Sequence, residues 1–102
     1  MRRKKAQTID EILARLRAEM PRLREEYKVR SLSVFGSYVR GKQRKRSDVD
    51  VLVEYEKTPG LIGFVHLQYH LGDILGAKVD LVSRGGLKGE IGARICEEAM
   101  PV

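Results

Sequence analysis

The run Ser47-Asp48-Val49-Asp50-Val51-Leu52-Val53 constrains the chain more tightly than any other segment. Its β-branched alternation marks a strand, on which side chains two apart share a face. Val49, Val51 and Val53 then turn toward a core, while Asp48 and Asp50 stand on the opposite side, about 7 Å apart at Cα. Any fold containing this strand must cover one of its faces and leave the carboxylate face open. Like charges held so close repel unless a cation neutralises them, and hard oxygen ligands suit Mg²⁺ or Mn²⁺ better than Zn²⁺. A third carboxylate, Asp80, sits between Val79 and Leu81 in a second apolar run, Lys78 to Val82. If the two strands pair side by side, all three acids converge. One such Asp is ordinarily a strand-end residue facing water; three at apolar-flanked strand positions are harder to explain that way.

The remaining elements alternate between helix and strand. Thr8 with Glu11 three residues on forms a capping box, followed by Ile9, Ile12, Leu13 and Leu16 at helical spacing. Pro21 is expected to interrupt or restart this helix. Leu32, Val34 and Phe35, interleaved with Ser31 and Ser33, predict a first strand that ends at Gly36-Ser37. A polar run from Gly41 to Arg46 leads into the acidic strand, and residues 54–60 read as a linker. Leu61 to Leu75 has the spacing of a helix closed by Gly76, and Leu87, Ile91 and Ile95 recur every four residues on a last helix. The reading is one α/β (α+β) domain over residues 1–102, with a small mixed sheet of about three strands flanked by about four helices. Residues 1–7 are expected to form a flexible basic tail.

At 102 residues the chain has room for one core and not for a catalytic domain plus a separate substrate domain, so any acceptor specificity is expected to be minimal or supplied by a partner. No apolar stretch is long enough to span a membrane, and no apolar segment follows the basic N-terminus as in a secretory leader, so a cytoplasmic location is expected. A single cysteine, Cys96, agrees with a reducing compartment and reads as a buried helix thiol. The net charge of +6 comes from two places: Arg2, Arg3, Lys4 and Lys5, and then Arg40, Lys42, Arg44, Lys45 and Arg46. Without those nine cations, 11 basic residues face 14 acidic ones. The basicity therefore belongs to two local anion-attracting segments rather than to a general nucleic-acid-coating surface.

A second chemical feature precedes the acid pair by eleven residues. Gly36 permits close backbone approach to a ligand, and N–H groups at the following turn, with the Ser37 hydroxyl, suit phosphate oxygens. Gly36-Ser37-Tyr38-Val39-Arg40-Gly41, five further residues, and then Ser47-Asp48-Val49-Asp50 resemble the GSxxRGxxxxxSDxD signature of minimal nucleotidyltransferases, in the DNA polymerase beta-like superfamily. Lys78-Val79-Asp80-Leu81-Val82 is similar to that family's later strand bearing its third acid. The resemblance spans roughly Leu32 to Glu98. It implies the minimal nucleotidyltransferase fold, with Gly36 and Ser37 on the nucleotide phosphates and Arg40 and Ser47 beside them. It also implies that Asp48, Asp50 and Asp80 are catalytic and hold two Mg²⁺ ions, or Mn²⁺. In that chemistry the metals hold the triphosphate, activate a hydroxyl and stabilise the departing pyrophosphate.

Small free-standing members of this family resemble antitoxins paired with HEPN-domain ribonuclease toxins. The resemblance implies transfer of AMP from ATP to a tyrosine of such a toxin. Two alternatives stand beside it: masking of the partner by contact alone, and nucleotidyl transfer to a small molecule or an RNA end. Arg44-Lys45-Arg46 departs from the family pattern, and nucleic-acid contact there is not the favoured use of this chain. Gly36-x-x-x-x-Gly41-Lys42-Gln43 approaches a P-loop but has Gln43 where a Mg²⁺-binding Ser or Thr belongs, with no apolar helix following. His66 and His70, four apart, lack both a third ligand and an intervening Glu, and read as ordinary helix residues.

Overall fold

The computed structural model describes residues 3–102. The first helix, α1 (Ile9–Tyr27), begins where the capping box places it: Thr8 Oγ1 accepts the Glu11 amide at 3.2 Å, and Glu11 Oε2 accepts the Gln7 amide at 3.0 Å. Ile12, Leu13, Leu16, Met20 and Leu23 form its buried stripe. Pro21 does not interrupt it. The ring lies on the exposed side of the helix, where burial of the flanking Met20 and Leu23 holds the helix together despite one missing backbone bond. Lys28, in the left-handed region at φ 58°, ends it.

Strand β1 (Val29–Phe35) pairs antiparallel with β2 (Val49–Tyr55), which pairs parallel with β3 (Val79–Ser83) through helix α2 (Leu61–Leu75). A short 3₁₀ turn, Arg84–Gly86, leads to α3 (Gly89–Glu98). The chain then returns as β4 (Met100–Pro101) against Ser33 and Val34 of β1. The sheet order is β3-β2-β1-β4. Instead of about three strands and four helices, the described residues form four strands, three α-helices and the 3₁₀ turn. Two residues, one of them proline, carry no alternation, and an edge position tolerates the absent N–H.

The core lies between one sheet face and α1 with α2. Val49, Val51 and Val53 are fully buried against Leu67, Leu71, Leu75 and the α1 stripe. Leu61 and Ile62, in the first turn of α2, remain exposed, so the apolar face of that helix reaches the core from the half-buried Phe64 onward and is fully buried from Leu67. Leu87 precedes α3, Ile91 is exposed, and the predicted every-fourth-residue stripe is not a core stripe. Cys96 is likewise exposed, because α3 buries only Gly92.

The N-terminal segment also departs from expectation from Arg3 onward. Arg3 and Ala6 donate backbone hydrogen bonds to Asp73 and Leu75, at 3.1 and 2.8 Å, and Ala6 is fully buried. The C-cap glycine of α2 makes this possible. Gly76 has φ +64°, and a Cβ there would lie 2.2 Å from the Arg3 carbonyl oxygen and 2.5 Å from Lys4 C. Gly76→Ala must therefore both adopt a left-handed conformation and push backbone aside, with an expected loss of at least about 2 kcal/mol. Thermal denaturation should show it, and hydrogen exchange should show lost protection at the Ala6 amide.

Candidate active site

The strand pairings set Phe35, Asp50 and Asp80 in a row across the sheet. Phe35, the last residue of β1, is the cross-strand partner of Asp50, and Asp50 is the partner of Asp80 on β3. Because Val49 and Val51 face the core, Asp50 faces away from it, into a cleft of about 280 Å³ that it lines with Phe35, Gly36, Arg40 and four residues of α3: Ile91, Arg94, Ile95 and Glu98. Asp80 is exposed at the neighbouring position. Asp48 stands one residue before β2, its Oδ2 4.0 Å from Lys78 Nζ.

Burial raises the Asp50 pKa, and the nearby Asp80 and Asp48 carboxylates raise it further, against the opposing pull of Arg40. Three acids, one of them partly desolvated, form a centre of negative potential that attracts a cation. As a donor set they fit Mg²⁺ or Mn²⁺: all oxygen, hard and clustered by strand register. Among the described residues, no three such side chains are already closed into a metal cage. The register brings Asp50 and Asp80 together and keeps Asp48 close, leaving the final approach to side-chain rotation.

Gly36 is fitted to Asp50 more closely than the sequence reveals. At φ +82°, a Cβ here would fall 2.0 Å from Asp50 Oδ2 and 3.0 Å from its Cγ. The missing side chain is the space that the carboxylate occupies. Beyond Gly36 the chain makes a tight turn: Val39 and Arg40 donate to the Gly36 carbonyl, Gly41 to Tyr38, and Lys42 to Ser37. The Ser37 and Tyr38 amides have no acceptor among the described residues, so two donors remain at the start of the turn. Tyr38, 2% exposed, anchors the turn in the core. The P-loop alternative fails here, since no helix follows Lys42.

Two of the sequence-derived candidates are engaged locally. Arg40 donates to Glu98 Oε1 at 2.9 Å, tying the turn to α3. Ser47 Oγ accepts the Arg44 amide at 2.7 Å, and the Ser47 amide returns to the Arg44 carbonyl, so Ser47 braces the loop ahead of the acids. His70 stacks on Tyr27 with ring centroids 5.4 Å apart, remote from the cleft as its reading as an ordinary helix residue requires. Arg94 and Glu98 are the cleft residues that sequence reasoning missed. Their signal was the spacing of Ile91, Arg94, Ile95 and Glu98, which marks one helix face.

The row of strand acids and the glycine turn, over residues 32 to 80, lie within a span that a family model matches. The model of the nucleotidyltransferase domain matches residues 15–100. The chain belongs to the nucleotidyltransferase domain family. This nucleotidyltransferase is therefore an enzyme, and its sheet is the minimal nucleotidyltransferase fold. It is 43% identical to protein adenylyltransferase MntA of Thermococcus cleftensis over 93% of its own length and 96% of the relative's. A solved structure assigned as a minimal nucleotidyltransferase superposes with a TM-score of 0.78 at 32% identity, over 94% of this chain and 97% of that one. A solved variant of the MntA toxin–antitoxin pair superposes with a TM-score of 0.66 at 25% identity, over 95% of this chain and 72% of that one. Among the described residues, no helix is long and apolar enough to cross a membrane.

Proposed function

We propose that this nucleotidyltransferase transfers AMP from ATP to a tyrosine of a HEPN-family toxin and so acts as its antitoxin. The observation that carries the reading is the contact of Gly36 with Asp50, beside the Asp50–Asp80 pair, because it puts a phosphate-sized turn and a carboxylate cluster in one small cleft. Identity to a protein adenylyltransferase and likeness to an antitoxin in complex support the acceptor class.

In this reading Asp48, Asp50 and Asp80 hold Mg²⁺, which supplies charge neutralisation for the triphosphate and the leaving pyrophosphate. Gly36 leaves room for the nucleotide to approach. The open Ser37 and Tyr38 amides and the Ser37 hydroxyl donate to phosphate oxygens. Asp80, the most exposed of the paired acids, faces the side from which an acceptor hydroxyl arrives. The acceptor oxygen bonds to the α-phosphorus as its proton passes to Asp80, the bond between the α-phosphorus and the oxygen bridging to the β-phosphate breaks, and pyrophosphate departs with the negative charge. Ser47 keeps the loop in register.

Arg94 and Arg40 divide the cationic work. Arg40 is held by Glu98, whereas Arg94 forms no ion pair among the described residues and is free to bind a phosphate. Arg94→Gln should raise the KM for ATP about 10-fold with a smaller change in kcat, as the loss of one charge-assisted hydrogen bond requires. Steady-state kinetics check this.

The function itself is tested by supplying ATP labelled at the α- or the γ-phosphate to the enzyme and a co-expressed HEPN partner. Retention of only the α-label on a partner tyrosine is the expected result. A complex that forms without labelling would favour masking by contact instead.

A further inference from the structure

The C-terminal end of α3 breaks a local rule of helix electrostatics. A helix dipole favours cations at that end, yet the last turn of α3 has no basic residue and closes on Glu97 and Glu98. Glu98 is nevertheless held in place, because its Oε1 accepts Arg40 Nη1 at 2.9 Å. Among the described residues, no other side-chain hydrogen bond or ion pair joins α3 to the rest of the chain, and the helix buries only Gly92.

The Arg40 backbone is fixed in the turn beside the acid row, since its amide donates to the Gly36 carbonyl at 3.2 Å. Its exposed side chain has no such restraint beyond Glu98. Both members of the ion pair line the cleft of about 280 Å³ with Asp50, and the charges of both reach that carboxylate: Arg40 lowers its pKa and Glu98 raises it. A carboxylate offers a guanidinium the same anionic oxygens that a phosphate does. Glu98 therefore fills the place on Arg40 that a phosphate group would take. It is not a further member of the metal-binding row, because it stands on α3, outside the strand register that aligns Asp50 with Asp80, and an arginine already neutralises it.

We propose that Glu98 is a built-in competitor of the nucleotide: it holds Arg40 as a stand-in for phosphate until a triphosphate displaces it, and so sets the affinity of the cleft. This rests on the reading that the acidic cleft takes ATP, and adds to it a residue that opposes binding. Glu98 acts through Arg40 and touches no reacting atom. The negative end of the α3 dipole loosens its hold, and a single partly exposed ion pair is weak against the several charges of a triphosphate.

The test is calorimetric titration of the full chain with Mg²⁺ and α,β-methylene-ATP, whose α–β linkage the transfer reaction does not break, and separately with Mg²⁺ and inorganic tripolyphosphate. Glu98→Gln should tighten both ligands about 5-fold, since binding no longer has to break an ion pair. The gain runs through Arg40, so in an Arg40→Gln chain the same substitution should change either affinity by no more than about 2-fold. An ion pair that merely braced the turn would give the opposite sign, with Glu98→Gln weakening both ligands. That outcome, an unchanged affinity, or an equal gain in the Arg40→Gln chain would overturn the inference while wild-type binding keeps the reading of the cleft. Failure of the wild type to bind either ligand would overturn both. Glutamine keeps the shape of glutamate, Arg40 is exposed, and circular dichroism verifies that each variant folds.

Discussion

Asp50→Asn is expected to lower nucleotidyl transfer on the order of 10³-fold or more while leaving the protein folded and, without divalent cations, more stable at neutral pH. Two separate properties of one carboxylate lead there. Asp50 is the member of the row that faces both the glycine turn and Asp80, so the variant removes a charge from the centre of the cluster. The same charge is a liability in the empty fold, since burial and the acidic neighbours Asp80, Asp48 and Glu98 raise its pKa above the ordinary 3.8. The folded state thus binds this proton more tightly than the unfolded chain does. Its contribution is complete below about pH 4 and is lost as pH rises through the folded value. Thermal melts in EDTA should show the variant gaining on the wild type as pH increases from 4, with the advantage shrinking when Mg²⁺ is added to the wild type. A wild type that melts in parallel with the variant across this range would contradict the electrostatic account.

Gly36→Ala should be the most damaging single-methyl change in the cleft. The left-handed φ of +82° costs an L-residue about 1–2 kcal/mol, and the new Cβ would collide with the Asp50 carboxylate and crowd its Cγ. The carboxylate must rotate away from the position that the register gives it. Transfer should fall at least 100-fold, and the melting temperature by roughly 5–15 °C. Gly41→Ala separates strain from collision. Gly41 shares the left-handed conformation at φ +68° but has nothing within 4 Å of its added Cβ. It should lose about 1 kcal/mol of stability and little activity. Equal losses at both positions would remove the special role of Gly36.

The alternation of Asp and Val in residues 47–53 made the central strand and its two faces legible, because a period of two leaves no other way to bury the valines. The capping box and the stripe of α1 were legible for the same local reason. Pro21 misled, since backbone rules predict a break and tertiary burial on the other side of the helix overrides them. The two-residue β4 lies below the length at which any period is visible. The side chains of α3 misled differently: Ile91 and Ile95 have core spacing, but they line the wall of the cleft. Gly36 was legible as a turn glycine, and only the fold shows that its absent Cβ is the space of Asp50. The basic segments were legible as charge and not as neighbours, because nothing local reports that Lys5 meets Lys45.

Intact-mass measurement of a co-expressed HEPN partner, incubated with ATP and Mg²⁺ beside the wild-type or the Asp50→Asn chain, tests the central claim most directly. An AMP adduct on the partner that appears with the wild type and is absent with the variant is the predicted result. A partner that stays unmodified in a stable complex, or one modified equally by both chains, would contradict it.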